Sequence, residues 1–371
     1  AAGQYLNISW DIFKGPNPEE VIGEMLKNMQ GVKASHTTSR LDINITDKNS
    51  KQAQGQLVLN TNTESDLTDI NNPKAGGNFT INITTPGYPA VLGTVSMAMV
   101  GNAVYFKIND ITLPDSVSVT YSHLDISQLK GKWFKIDQDS ITALSQTGGS
   151  QVTMPDISQI DNSELYKQMY DLLAAENIFS NTKQLNDETI SGQNTYHYSA
   201  TISSAELGDL ANKLITLGMQ QSGNASSLVA NMAQAAVKTF VDSLGDINLE
   251  MWIGKSDYML YRVKLDKIID SEIVIQSLGI PIDNMSISAT QTEIKLDLTN
   301  SNFNKAITVQ VPEGAQKIED VVLPLLKIQK INSDMRQIGF IAQSQFTVNK
   351  NYSSLCNRGL LNGYLSVYGK S

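Results

Sequence analysis

From Ser35 onward, apolar residues recur at every second position through five consecutive segments. They are Leu41, Ile43 and Ile45; Leu57 and Leu59; Phe79, Ile81 and Ile83; Val95, Met97 and Met99; and Val104, Phe106 and Ile108. A repeat of two is the signature of a strand with one covered and one wet face. The breaks between segments carry Lys48-Asn49-Ser50, Pro73-Lys74-Ala75-Gly76-Gly77 and Gly101-Asn102, the last being a two-residue hairpin signal. Turns this short join antiparallel neighbours, so the segments form a meander. Asn, Thr, Ser and Asp fill the alternate positions. One face is therefore solvated, and the apolar one must be covered.

Helices are available for that cover. Asn17 followed by Pro18-Glu19-Glu20 is a helix start with Asn17 as N-cap, and Val21, Met25 and Met29 mark one face to about Gly31. Gly131-Lys132-Trp133-Phe134-Lys135-Ile136-Asp137 closes the first run of strands. A short helix is expected over Ser140 to Ser145, then a loop from Gly148 to Pro155 and a helical patch from Glu164 to Ala175. A strand from Thr195 to Ile202 precedes two helices, Ala205 to Gln221 and Ser226 to Leu244. Their apolar positions, first Leu207, Leu210, Leu214 and Leu217, then Leu228, Met232, Ala236, Phe240 and Leu244, keep the 3.6-residue period. Strands are expected again over Ile247 to Ile253, Tyr258 to Asp266, Ser286 to Leu298 and Ala306 to Val311.

Charge narrows the choice of partners. There are 28 basic and 37 acidic residues, a net charge of −9, so no field gathers phosphates and nucleic acid is excluded as a partner class. Mean hydropathy is −0.19, and no apolar run reaches the about 18 residues of a membrane-spanning helix. Charged residues make up only 18%, and the uncharged polar surface left in their place suits an extracytoplasmic protein. A start at Ala1-Ala2-Gly3 is what a processed or trimmed chain is expected to show. Cys356 is the single cysteine, so no internal disulfide forms. Seven Asn-x-Ser/Thr sequons occur, at Asn7, Asn44, Asn78, Asn82, Asn224, Asn284 and Asn351, in a composition that produces them readily by chance.

Residues that carry chemistry are sparse. His36, His123 and His197 are far apart and none has metal-ligand spacing with Cys or acidic neighbours. Gly254-Lys255-Ser256 and Gly369-Lys370-Ser371 echo the end of a phosphate loop, but the glycine needed five positions earlier is Leu249 in one case and Tyr364 in the other. No Gly-x-Ser-x-Gly elbow is present, and no histidine lies near Cys356 in sequence. Asp137 and Asp139 lack the glycine of a calcium loop and are read as caps of the helix at Ser140. Trp133 and Trp252 fall in strands, where packing explains them. The chain is expected to be no enzyme and to hold no cofactor or metal.

Taken in order, Val32-Lys33-Ala34-Ser35-His36, the meander, Gly131 to Ile136, Met251 to Val263, and Asn302-Phe303-Asn304-Lys305-Ala306 before Val311-Pro312 resemble the LolA/LppX/LprG-like envelope lipoproteins over residues 17 to 325. The resemblance implies an α+β fold: a strongly curved antiparallel β half-barrel with helices packed in its concave face, here followed by a C-terminal helical segment. It also implies a concave apolar cavity that carries acyl chains of lipids, lipoproteins or glycolipids. Members are tethered through a lipidated N-terminal cysteine. No such cysteine stands in these residues, so membrane association is expected through an anchor outside them. Residues 1–325 are accordingly one half-barrel domain and 326–371 a C-terminal helix and tail. In that tail Ile328, Ile331, Met335, Ile338 and Ile341 mark a helix running to Phe346. Ser333 to Ile338 followed by Tyr352 to Cys356 resembles the point where a type IV pilin helix gives way to its globular head. The alternative is an amphipathic helix docked on the sheet or serving as a stalk.

Two functions fit. In one, Ile43, Ile45, Leu57, Leu59, Phe79, Ile81, Met97, Met99 and Phe106 line a cavity that binds a lipid or other hydrophobic ligand, the methionines adapting to varied chains. In the other, the half-barrel is a surface, adhesive or pilus-associated scaffold, and the C-terminal helix contacts a protein partner.

Overall fold

The structure, a computed structural model, describes residues 16–69, 72–113, 129–147, 168, 171–172, 178–222, 227–271, 290–321 and 323–324. The loop at 148–155, most of the patch at 164–175, His123, the sequons at Asn7, Asn224, Asn284 and Asn351, and the whole C-terminal segment with its pilin-like stretch lie outside the described residues.

Helix α1 (Pro18–Met29) begins as its sequence dictates: Pro18 occupies the first turn and the Asn17 side chain accepts a hydrogen bond from the Glu19 amide at 3.2 Å. Strands β1 (Ala34–Asp47), β2 (Ala53–Asp66), β3 (Lys74–Thr85), β4 (Tyr88–Val100) and β5 (Ala103–Thr112) form the meander, and Gly101 and Asn102 make the tight turn between the last two. After β6 (Trp133–Ile136) comes α2 (Gln138–Thr147). Its cap is Asp137, whose carboxylate accepts from the Ser140 amide and hydroxyl at 3.0 Å each, whereas Asp139 lies inside the first turn.

Strands β7 (Phe179–Gln184) and β8 (Glu188–Ile190), too short and polar for the period-two pattern to reveal, precede β9 (Gln193–Ile202). Helices α3 (Ser204–Ser222) and α4 (Ser227–Leu244) follow, then β10 (Ile247–Gly254), β11 (Leu260–Asp270), β12 (Thr290–Ser301) and β13 (Gln316–Lys317).

The strands form one open sheet in the order β13-β6-β5-β4-β3-β2-β1-β12-β11-β10-β9-β7, with β8 paired to β9. Every pairing is antiparallel except β13 with β6. Its two edges never meet, so the curved sheet is a half-barrel. The expected strand at Ala306 to Val311 is instead an extended segment without ladder pairing. Both sides of β1 are already occupied, by β2 and β12, so no ladder position remains beside it. That segment crosses the polar side of the sheet, where Val309 lies against Gly76, and reaches β13 and the helical turn at 318–321.

The main core lies at the β9–β10 end. There α1 packs Val21, Ile22 and Met25 against Tyr198, Ala200, Leu249, Met251 and Ile253. Each buried large apolar side chain contributes about 1.5–3 kcal/mol.

Candidate functional site

Residues directly opposite in a ladder share a face, so the register defines the apolar surface. Leu41 pairs with Leu59 and Leu296, and Leu59 with Ile81. Ile43 pairs with Leu57 and Ile294, and Leu57 with Ile83. On the other side Phe79 faces Val95, Met97 faces Phe106, and Phe106 faces Phe134, whose rings lie 5.4 Å apart. The same face continues through Leu298, Val263 and Met251 to Tyr198, beneath α1. All nine sequence-predicted lining residues thus share one apolar face with the α1 core.

Their cover is unequal. Ile43, Leu57, Leu59, Phe79, Ile81, Met99 and Phe106 are half-buried. Ile45, Met97 and the neighbouring Ile83 stay 37%, 38% and 42% exposed. Sequence reasoning overlooked Ile294 and Leu296, which join the two wings of the face; they obey the same alternation, but only the β1–β12 pairing reveals where they belong.

It also overlooked a polar patch on the same face. Ser35, Thr37 and Ser39 have the same parity as Leu41 along β1, and their partners are Ser65, Thr63 and Thr61. The hydroxyls of Ser39 and Thr61 lie 2.7 Å apart. Thr37 donates to the Asn300 side chain at 2.9 Å, and Asn300 donates to the Leu260 carbonyl at 3.1 Å. From the Ser35–Ser65 pair to the Ile45–Gly55 pair, no inward position on β1–β5 or β12 carries a charge. Lys267, opposite Ile294 on β11, turns its ammonium to the Asp246 carbonyl at 2.6 Å.

The polar face is built differently. Asp297 holds Arg262 through two hydrogen bonds, at 2.8 and 2.5 Å, and this guanidinium keeps the Asp297 carboxyl below its ordinary range. Arg262 and Lys264 both lie over the Trp252 ring, which is buried, and His197 stacks on it at 4.1 Å while meeting Glu250 at 2.9 Å. Two recesses open on this side. One, of about 500 Å³, runs past Arg40, Glu250, Lys264, Lys295 and Asp297; the other, of about 620 Å³, adjoins Gln184, Glu188 and His197. Charges line both, and most are paired across strands, so neither suits an acyl chain. No group of His, Cys, Asp and Glu able to hold a metal ion is found among the described residues. No helix among them is long and apolar enough to cross a membrane.

Two motifs of the sequence resemblance acquire structural roles. Gly254-Lys255-Ser256-Asp257 is the β10–β11 turn: Asp257 accepts from the Tyr261 hydroxyl at 2.7 Å, and a Cβ at Gly254 would collide with the Asp257 carboxylate. Asn304 is a clamp. Its side chain accepts from the Lys33 amide at 2.7 Å and donates to the Gly31 carbonyl at 3.2 Å, while its own amide donates to the Ala34 carbonyl at 2.7 Å. It ties the end of β12 to the α1–β1 junction.

The sheet and its helix-covered apolar side define an α+β half-barrel. No protein-family model matches the chain, and no curated protein matches it significantly. Among solved structures it is similar to LprF from Mycobacterium bovis, at 15% identity and a TM-score of 0.37, covering 81% of this chain and 100% of that one. It is also similar to the Mycobacterium tuberculosis lipoprotein LppX, at 14% identity and a TM-score of 0.32, covering 80% and 100%. A LolA superfamily protein from Nitrosomonas europaea is similar at 9% identity and a TM-score of 0.15, covering 78% and 94%.

Proposed function

We propose that this is a non-catalytic, extracytoplasmic protein of the cell envelope that holds a lipid or other hydrophobic ligand against the concave apolar face. The observation that carries the reading is the exposure of Ile45, Ile83 and Met97, each above one third, on a face where no neighbouring inward position is charged. Large apolar side chains arranged this way attract an apolar guest, and each CH₂ of an acyl chain buried there contributes about 0.8 kcal/mol. The nine residues from Ile43 to Phe106 named above form the wall of that site. Residues 1–325 form the carrier unit. Residues 326–371 form a second unit that meets a protein partner.

The test is native mass spectrometry of protein purified from a lipid-containing host, before and after denaturation. A stoichiometric lipid adduct is expected. A bare chain that also takes up no lipid from vesicles rejects the carrier and leaves a surface scaffold.

A further inference from the structure

On the outer side of the thinly covered wing, one corner is closed to solvent. Gly76 on β3 stands opposite Ala98 on β4, and Ala98 opposite Tyr105 on β5. Ala98 and Tyr105 are buried, although Asn78 and Thr80, further along the same side of β3, are exposed. The extended segment 305–315 reaches this corner: a Cβ on Gly76 would sit 3.4 Å from the Val309 side chain. Ile307 and Val309 are half-buried while Thr308 and Gln310 are exposed, so the segment turns its apolar residues to the sheet.

This strap is fastened at both ends and only rests in between. At one end the Asn304 amide donates to the Ala34 carbonyl at 2.7 Å, and its side chain accepts from the Lys33 amide. At the other, Gln316 and Lys317 of β13 pair with Phe134 and Lys135 of β6, and the next two residues, Ile318 and Glu319, are buried. Residues 305–312 carry no ladder pairing with any described strand. The twelve residues from Lys305 to Gln316 reach about 40 Å when extended, whereas the five strand spacings from β1 to β6 span about 24 Å. The strap is therefore not stretched tight, and the seat of Ile307 and Val309 is what holds it down. A segment with few buried apolar contacts and no ladder bonds is among the first to open. It spans the wing whose inner residues Ile45, Ile83 and Met97 stay exposed, where curvature gains little support from an inner core.

Resting on the carrier reading above, we infer that residues 305–315 are a gate strap: seated on Gly76, Ala98 and Tyr105 they hold the β3–β6 wing curved, and lifted from that seat they let the wing splay and the guest enter or leave. The guest's chemistry plays no part in this device. The strap acts from the side of the sheet opposite the guest and sets the rate of exchange rather than the choice of lipid.

The experiment uses the full chain carrying Cys356→Ser and freed of lipid, with vesicles of dioleoylphosphatidylcholine as the lipid source. Uptake and release are followed by native mass spectrometry, and opening of residues 306–311 by amide hydrogen exchange. Gly76→Cys combined with Val309→Cys places two thiols within disulfide reach. Oxidation of this pair is expected to slow both uptake and release by about fivefold or more, and reduction to restore them. Gly76→Ile fills the seat from below and is expected to speed amide exchange at 306–311 and lipid exchange by about fivefold or more, the lower end of what overpacking a close contact produces. Amides of β9 and β10 should be unaffected. Lipid exchange at one rate in the oxidised, reduced and Gly76→Ile proteins overturns the gate and leaves the carrier reading standing. An unmodified chain that takes up no lipid overturns the carrier reading, and the gate with it. Should the disulfide not form, Gly76→Ile decides the matter, and should Gly76→Ile not fold, the disulfide does.

Discussion

The two wings of the half-barrel share one alternating pattern and reach opposite states of burial. Under α1, Tyr198 and Ile253 are fully buried and Met251 is 2% exposed. Across β1 to β5, residues at equivalent inward positions are half-buried or exposed, Met97 at 38%. The difference lies in what packs on the strands, since the first wing meets Val21, Ile22 and Met25 of a capped amphipathic helix. Binary pattern specifies which face is apolar; a docked element turns that face into core. Where cover is thin, the same pattern leaves large apolar side chains such as Ile45, Ile83 and Met97 exposed.

The sharpest way to break this comparison is truncation in each wing. Met25→Ala is expected to cost about 2–5 kcal/mol, as buried methionines do, and to lower the urea midpoint strongly. If Met25→Ala proves as harmless as a surface change, the β9–β10 wing is not the folding core. A smaller loss, about 1–2 kcal/mol, is expected for Asn304→Ala. It removes the clamp between the end of β12 and the α1–β1 junction and places Ala where φ is +54°. Asn304→Gly, free of the backbone cost, should lose less in the same denaturation series.

A pH effect is expected at the far edge of the open wing. The Lys135 ammonium, the Ser140 amide and the Ser140 hydroxyl hold the Asp137 carboxyl well below its ordinary range. A depressed carboxylate stabilises the fold above its unfolded value, about 3.9, and that contribution is lost as pH falls below it. Urea midpoints measured from neutral pH down into acid should therefore fall less for Asp137→Asn than for the unmodified chain. Parallel curves would show that the cap is energetically idle.

Tyr198→Phe sharpens the contrast from the packed side. The Tyr198 hydroxyl is buried without a hydrogen-bond partner among the described residues, and burial pushes its pKa up to about 12. Removing an unsatisfied buried polar group is expected to leave stability unchanged or slightly raised. A clear drop in melting temperature would reveal a partner for that hydroxyl. Smallest of all is Met97→Ala, expected to move stability by no more than about 0.5 kcal/mol, although it belongs to the proposed lipid wall and should reduce lipid loading in native mass spectra. An intact lipid load would remove Met97 from that wall.

Much of the fold was legible because its signals are local. The N-cap at Asn17, the Gly101-Asn102 turn and the alternation of Leu41, Ile43 and Ile45 each depend on a few neighbouring residues, and each holds in the structure. Residues 306 to 311 misled because Ile307, Val309 and Val311 also alternate, although ladder pairing depends on a free strand edge, which is a non-local fact. The nine proposed lining residues were placed on one face by parity. Their polar counterparts Thr37 and Thr63 share that parity but look like ordinary solvated strand residues until the register places them beside Leu41 and Leu59. The motif around Asn304 was visible but its clamping role was not, since its partners Gly31, Lys33 and Ala34 lie some 270 residues away in sequence.

By itself the sequence determined the long strands and the amphipathic helices, the existence of one apolar face, and a net charge of −9 that disfavours nucleic acid. These follow from periodicity, turn chemistry and composition, which act over a few residues or over the whole chain at once. Only tertiary structure decided that β12 joins β1 and so fuses two wings into one sheet, that α1 covers one wing and not the other, and that a hydroxyl–amide patch adjoins the apolar wall. Strand pairing and helix docking are selected by the burial and hydrogen bonding that distant segments achieve together, and no single stretch of the chain encodes that choice.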